Sequence, residues 1–284
     1  MQERFDEVNG LRLHVLHEGE ISAPIIIFLH GFPEFSFAWQ KQVSFFAQHG
    51  FYALAPDQRG YNLSSKPKGV KAYVIDNLVA DIAAWIKQLT PNKVILAAHD
   101  WGGGVAWALA LKHPELLEKL VIMNMPHLAV MKKHLRTNPK QMLKSWYAAF
   151  FQLPVVPELV CRMWDYRFLV NAMMKSANPK TFTRLQMQQY KQAWSEPNAL
   201  TSMLNWYRAF LYDILKKYPK VTVPTLIIWG KKDATLNAQM AHDSLAMCRQ
   251  GKLVMLDNAT HWLHHEMPDR VNQIILDFAK EELV

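Results

Sequence analysis

Six short apolar runs punctuate the chain, at residues 25–29, 52–56, 94–98, 120–123, 226–229 and 253–256. None alternates with period two, so each predicts a central strand of a parallel sheet covered on both faces. Near the start, Asn9-Gly10 lies before the alternating Leu11, Leu13 and Val15, a pattern that predicts a tight hairpin. Between the runs, apolar positions recur every three or four residues. Ile75, Leu78, Val79, Ile82, Trp85, Ile86 and Leu89 form one such stripe. Val271, Ile274, Ile275 and Phe278 form another, with Pro268 placed for a first helical turn. Strands alternating with helices predict an α/β fold with a doubly wound, mostly parallel sheet.

The alternation stops between about residues 127 and 218. That stretch has no clean strand pattern and holds half of the 14 Met and four of the 10 Trp. It predicts a helical lid inserted after a strand end, where open α/β sheets bind ligands. The expected organisation is a core domain of residues 1–127 and 219–284 with a cap domain of residues 128–218.

Composition narrows this little. A chain of 284 residues, 50% hydrophobic and 20% charged, is an ordinary globular protein and neither disordered nor fibrous. Two cysteines, Cys161 and Cys248, leave no disulfide framework and point to a reducing compartment. The N-terminus is too charged for a secretory signal, and no apolar run approaches the roughly 20 residues that span a bilayer. A soluble, cytoplasmic protein without a transmembrane segment is expected.

The net charge of +8 is uneven. Residues 128–218 carry fourteen Lys or Arg against four acids, Glu158, Asp165, Glu196 and Asp213. Such a segment could steer anionic substrates or meet acidic lipid. The charges stand singly among apolar residues, which favours a merely solvated helical surface. No nucleic-acid-binding module accompanies them, so nucleic acid is not an expected partner.

The chemistry concentrates at strand ends. Ala98-His99-Asp100-Trp101-Gly102-Gly103-Gly104 follows an apolar run and leads into a helical stretch. Small residues flank Asp100, as a sharp strand-to-helix turn requires when it lifts a nucleophile above the sheet. Asp100 could instead simply cap the helix. A dinucleotide fingerprint fails, because its third glycine would fall on Trp107. Leu29-His30-Gly31-Phe32-Pro33-Glu34 ends another strand and can aim the Phe32 amide at an oxyanion, with the Trp101 amide as second donor. Asp233 and then His261 follow later strands, in the order nucleophile, acid, base. Asp233 would fix the tautomer of His261. His264, His265 and Glu266 nearby raise a metal reading, but the glutamate is not in the H-E-x-x-H position, so no metal is expected.

These residues resemble the epoxide hydrolase branch of the α/β-hydrolase fold, over nearly the whole chain. The core matches are His30-Gly31-Phe32-Pro33-Glu34, Asp57-Gln58-Arg59-Gly60-Tyr61 and His99-Asp100-Trp101-Gly102-Gly103. In the cap, the segment from Ser145 to Pro154 is similar to the one bearing the family's first lid tyrosine. Leu204-Asn205-Trp206-Tyr207-Arg208 is similar to the one bearing its second. The resemblance implies that Tyr147 and Tyr207 donate to the epoxide oxygen. Phe32, Trp101, Phe151 and Trp206 are then expected against the substrate, although Trp206 and Tyr207 could also be plain lid core. Asn62 stands where many relatives have glycine, which asparagine replaces readily in a left-handed conformation.

The implied reaction turns an apolar epoxide and water into a vicinal diol, with no metal or organic cofactor. A serine attacking an epoxide carbon would leave an ether, which acyl chemistry cannot cleave. A carboxylate leaves an ester that water can hydrolyse. Haloalkane and haloacid dehalogenases share an Asp nucleophile but need N–H donors to a leaving halide. A non-catalytic ligand receptor on this fold is the third reading.

Overall fold

The computed structural model describes residues 1–212 and 219–281. Its strands are β1 (Gln2–Val8), β2 (Leu11–Glu18), β3 (Ile25–Leu29), β4 (Tyr52–Pro56), β5 (Val94–His99), β6 (Leu117–Met123), β7 (Thr225–Gly230) and β8 (Gly251–Leu256). They form one sheet in the order β1-β2-β4-β3-β5-β6-β7-β8. β1, β2 and β4 pair antiparallel, and every neighbour from β4 through β8 pairs parallel. The β1–β2 hairpin turns on Asn9 and Gly10, both at positive φ (51° and 71°), as a turn matching strand twist demands.

The apolar runs are buried on both faces because helices cover each side. Ile25, Ile27 and Leu29 face one layer, Ile26 and Phe28 the other. Helices α1 (Gln40–Gln48), α2 (Ile75–Leu89) and α3 (Asp100–Lys112) pack in the first half. Three more follow later: α10 (Gln239–Leu245), α11 (Leu263–Glu266) and α12 (Pro268–Lys280). Val43 and Phe46 of α1 meet Val271, Ile275 and Phe278 of α12 beneath one face, while α2 and α3 cover the other. The run at 253–256 departs from its expectation. β8 closes an edge of the sheet, so Gly251 and Lys252 are exposed and the middle of the strand is half-buried.

Between β6 and β7 lie α4 (Leu128–Thr137), α5 (Pro139–Lys144), α6 (Trp146–Phe150), α7 (Val156–Ser176), α8 (Arg184–Ser195) and α9 (Ala199–Ala209). No strand occurs there among the described residues. Asn138 starts α5 by accepting from the amides of Lys140 and Gln141, with Pro139 at the first position. α7 breaks at Met163, Trp164, Asp165 and Tyr166, whose backbone is not helical. The domain boundary expected at residue 218 lies outside the described residues. Side chains from these helices join the same apolar cluster as the sheet, through Leu169, Tyr190, Trp194, Leu204 and Trp206.

Candidate active site

The parallel strands deliver their C-terminal ends to one edge, and the chemistry collects there. Asp100 follows β5 directly at φ 48°, a left-handed conformation that an Asp tolerates better than most residues. The turn needs Gly31 and Gly102 for space. A methyl at Gly31 would collide with the Asp100 side chain, and one at Gly102 with the carbonyls of Leu29 and His30. The amide of Phe32, just past β3, donates to Asp100 Oδ1 at 2.8 Å. Trp101 begins the first turn of α3 beside it.

His261 lies after β8, with Nε2 3.5 Å from Asp100 Oδ2 and Nδ1 2.7 Å from Asp233 Oδ2. Asp233 Oδ1 accepts from the amides of Thr235 (2.7 Å) and Leu236 (2.9 Å) and from the Thr235 hydroxyl. Burial works against charge on all three side chains. For Asp100, the His261 bond and charge, His99 and the Phe32 amide outweigh burial and hold the carboxyl below its usual range. For Asp233 the same contest, won by His261 and Asn124, ends further below. His261, against burial, is carried up to about 10 by Asp233 and Asp100. At neutral pH the cluster is therefore two carboxylates around one imidazolium.

Sequence reasoning missed Asn124. It follows β6 at φ 41°, donates from Nδ2 to Asp233 Oδ2 at 2.5 Å and accepts the Gly230 amide at 2.8 Å. The one available signal was its place at a strand's C-terminal end.

The motif from His30 to Glu34 gives Glu34 no role of its own at the level of sequence. It is fully buried, accepting from the Tyr190 hydroxyl at 2.9 Å and lying 2.6 Å from His265 Nε2. Its Oε2 lies 3.3 Å from His264 Nε2 and 3.4 Å from His99 Nδ1, ion-pair distances without formed hydrogen bonds. His99 Nε2 in turn bonds the His261 carbonyl at 2.9 Å. The residues that raised the metal reading thus divide. His264 and His265 serve Glu34, while Glu266 bonds Thr260 and the Asn178 amide. Glu34, His99 and His264 could offer three donor atoms within 4.8 Å of one another; Tyr190 and His265 both take Glu34 Oε1, which leaves Oε2 facing the two other imidazoles without a formed hydrogen bond.

Two cavities meet at Asp100, Tyr147 and Tyr207. The larger, about 710 Å³, is also lined by Phe32, Phe151, Phe168 and His261. The smaller, about 380 Å³, is lined by Trp101, Met125, Met131 and Met142 among others. A third cavity of about 450 Å³ lies at the opposite ends of the strands, around Lys93, Glu118 and Pro224, far from these groups. The rings of Tyr147 and Tyr207 stand 6.0 Å apart, and Phe151 packs edge-on against Tyr207 at 5.0 Å. Burial first, then the Asp100 and Asp233 charges, push the Tyr147 phenol up. Burial, Tyr147 and Asp100 do the same for Tyr207, so both keep their protons at neutral pH.

The tyrosine-bearing segments are bolted together. Gln152 Nε2 donates to the Tyr207 carbonyl (3.0 Å), and Arg208 donates to the carbonyls of Phe151 (3.0 Å) and Leu153 (2.7 Å). Trp206 corrects an expectation. It is buried, its indole N–H donates to the Arg59 carbonyl at 3.0 Å, and it lines neither cavity at Asp100. One residue from Tyr207 on α9, it points about 100° away around the helix and packs on Tyr61 and Trp101.

A family model for the alpha/beta hydrolase fold matches residues 24–268. The chain is 46% identical over 280 residues to the AB hydrolase superfamily protein YfhM of Bacillus subtilis, covering 98% of each. It is 36% identical to epoxide hydrolase 1 of Caenorhabditis elegans, covering 98% of this chain and 70% of that protein. Among solved structures, a Bacillus megaterium epoxide hydrolase bound to an inhibitor superimposes with a TM-score of 0.89 at 32% identity, covering 98% of this chain and all of that one. By that extent of likeness the chain belongs to the α/β-hydrolase family and, within it, to the epoxide hydrolases.

Proposed function

We propose that the protein hydrolyses epoxides to vicinal diols through a covalent ester on Asp100. One observation carries the reading: an ionised carboxylate, backed by an imidazolium, shares its cavities with two protonated phenols. A carboxylate suits attack at an sp³ carbon, and phenols suit an oxygen that leaves as alkoxide.

Oδ1 is held by the Phe32 amide, so Oδ2 attacks a ring carbon. The ring C–O bond breaks, and the released oxygen takes a proton from one of Tyr147 and Tyr207 while the other hydrogen-bonds it; the phenolate regains its proton from the His261 imidazolium, which leaves a neutral imidazole. His261, oriented by Asp233, then removes a proton from water, and the hydroxide adds to the ester carbonyl carbon. Negative charge develops on Oδ1 against the Phe32 amide, joined by that of Trp101, contacts of a kind worth about 3–4 kcal/mol in transition states. Collapse expels the diol and restores the carboxylate. Phe32, Trp101 and Phe151 form the apolar walls against the substrate.

In this reading residues 128–218 act as the cap that closes over residues 1–127 and 219–284. The caps's hydrogen bonds to the core support it, among them Trp194 to the Pro33 carbonyl and Gln141 to the Thr235 carbonyl. The two cysteines are free and buried, which suits a cytoplasmic setting, and turning electrophilic epoxides into diols suits a role in clearing them.

Single-turnover reaction in ¹⁸O-water tests the ester. The first diol formed should be unlabelled, with the label in the Asp100 carboxylate, and later diols should carry it. Label in the first diol would mean direct attack by water and would end the proposal.

A further inference from the structure

The cap carries a surface that the reaction does not use. Ten of the seventeen exposed large apolar side chains among the described residues fall within residues 142–174. Scattered exposed apolar residues are ordinary, but a concentration of them marks an interaction site. Three sit on the α5–α6 segment: Leu143 (77% exposed), Trp146 (56%) and Met142 (51%). That segment separates the two cavities. Leu143 and Trp146 line the larger, and Met142 lines the smaller.

The segment from α4 through α6 is basic. Residues 128–157 contain Lys132, Lys133, Arg136, Lys140 and Lys144 and no acid, while α7 beyond them sets Arg162 and Arg167 against Glu158 and Asp165. Arg136 and Lys140 are exposed, as is Lys175, which lines the larger cavity from α7. Lys144 turns inward to the Asp233 carbonyl at 3.0 Å and Lys133 lies 3.9 Å from Asp243, so Arg136, Lys140 and Lys175 are the cations counted toward this face.

We propose that the α5–α6 face docks on an anionic lipid bilayer, with the apolar side chains entering the headgroup region and both cavities lying next to the lipid. The sequence favours a merely solvated surface, but in the structure the apolar residues among these cations are themselves exposed. Exposed apolar residues interleaved with cations are the composition that binds such a surface, each nearby cation adding attraction to anionic headgroups. A second copy of the chain fits worse, since two faces of like charge repel. The arrangement would let an apolar epoxide pass from the bilayer to Asp100 without crossing water.

Co-sedimentation with vesicles tests this independently of turnover, so it stands apart from the epoxide reading. The intact protein should sediment with equimolar phosphatidylglycerol–phosphatidylcholine vesicles at low salt, less at high salt, and not with pure phosphatidylcholine. The double variant Arg136→Glu/Lys140→Glu should bind at least about tenfold more weakly while turning over a small water-soluble epoxide normally, since neither residue lines a cavity. Brominated lipid should quench wild-type tryptophan fluorescence, and Trp146→Phe should lose most of that quenching. Three results would each overturn the proposal: no sedimentation with the mixed vesicles at low salt, undiminished binding by the double variant, or self-association of the free protein that the double variant abolishes.

Discussion

A histidine carried up to about 10 is a poor base at neutral pH, and that is informative about His261. Its proton is held by two carboxylates, 2.7 and 3.5 Å away. Esterification removes the charge of one of them. The imidazole then loses part of the attraction that kept it protonated, and becomes a base when the ester needs hydrolysis. Before that, the imidazolium keeps Asp100 ionised as a nucleophile. The same shift has a consequence for stability. The folded-state value lies above the ordinary 6.5, so the stabilisation is fully present below about pH 6.5 and is lost as pH rises toward about 10. Deprotonation leaves two buried carboxylates without their cation. The melting temperature of the wild type should therefore fall over that window by more than that of His261→Gln, measured by calorimetry across a pH series. Parallel curves for the two proteins would show that His261 does not carry the charge.

At the level of elements, what was legible depended on how local the cause was. The apolar run before Asp100 and the small residues around it suit a sharp strand-to-helix turn, so the elbow could be read locally beside the plainer alternative of a helix cap. The same holds for the Asn9-Gly10 hairpin and for α2. β8 was misjudged because an apolar run does not reveal whether a neighbouring strand lies beyond it. Trp206 and Tyr207 are adjacent in sequence, yet one faces the core loop and the other the cavities, a difference set by how α9 is rotated. Glu34 draws on Tyr190, His264 and His265, partners too distant along the chain for spacing to expose. Nor could spacing show that Arg208 ties α9 to the turn after α6. Its guanidinium holds the Phe151 and Leu153 carbonyls and pairs with Glu158 at 2.7 Å. Arg208→Lys, which cannot reproduce that fork, should cost about 1–3 kcal/mol in chemical denaturation and lower kcat about tenfold or more by loosening Tyr147 against Tyr207. Unchanged kcat in a destabilised variant would separate the tie from the tyrosine geometry.

Over the whole molecule, the controlling feature is that Asp100 sits where two cavities join and not at the end of one. A single blind pocket would accept an epoxide with one substituent. Two cavities of about 710 and 380 Å³ meeting at the nucleophile can each take an arm, so epoxides substituted on both ring carbons should fit. The smaller space is lined by Met125, Met131 and Met142, flexible side chains that adjust to arms of different shape. Met131 stands on α4, away from Asp233 and His261, and enlarging it should fill that space without touching the reacting groups. Met131→Trp should raise KM at least about tenfold for epoxides with long arms on both carbons, the usual scale when a pocket loses room for a few methylenes. Terminal epoxides, whose single arm takes the larger cavity, should keep their kinetics. Steady-state kinetics on a matched series, from terminal to symmetrical internal epoxides, would decide. Equal losses for both classes would mean that the variant disturbs the site itself, and no loss for either would mean that the smaller cavity takes no part in binding.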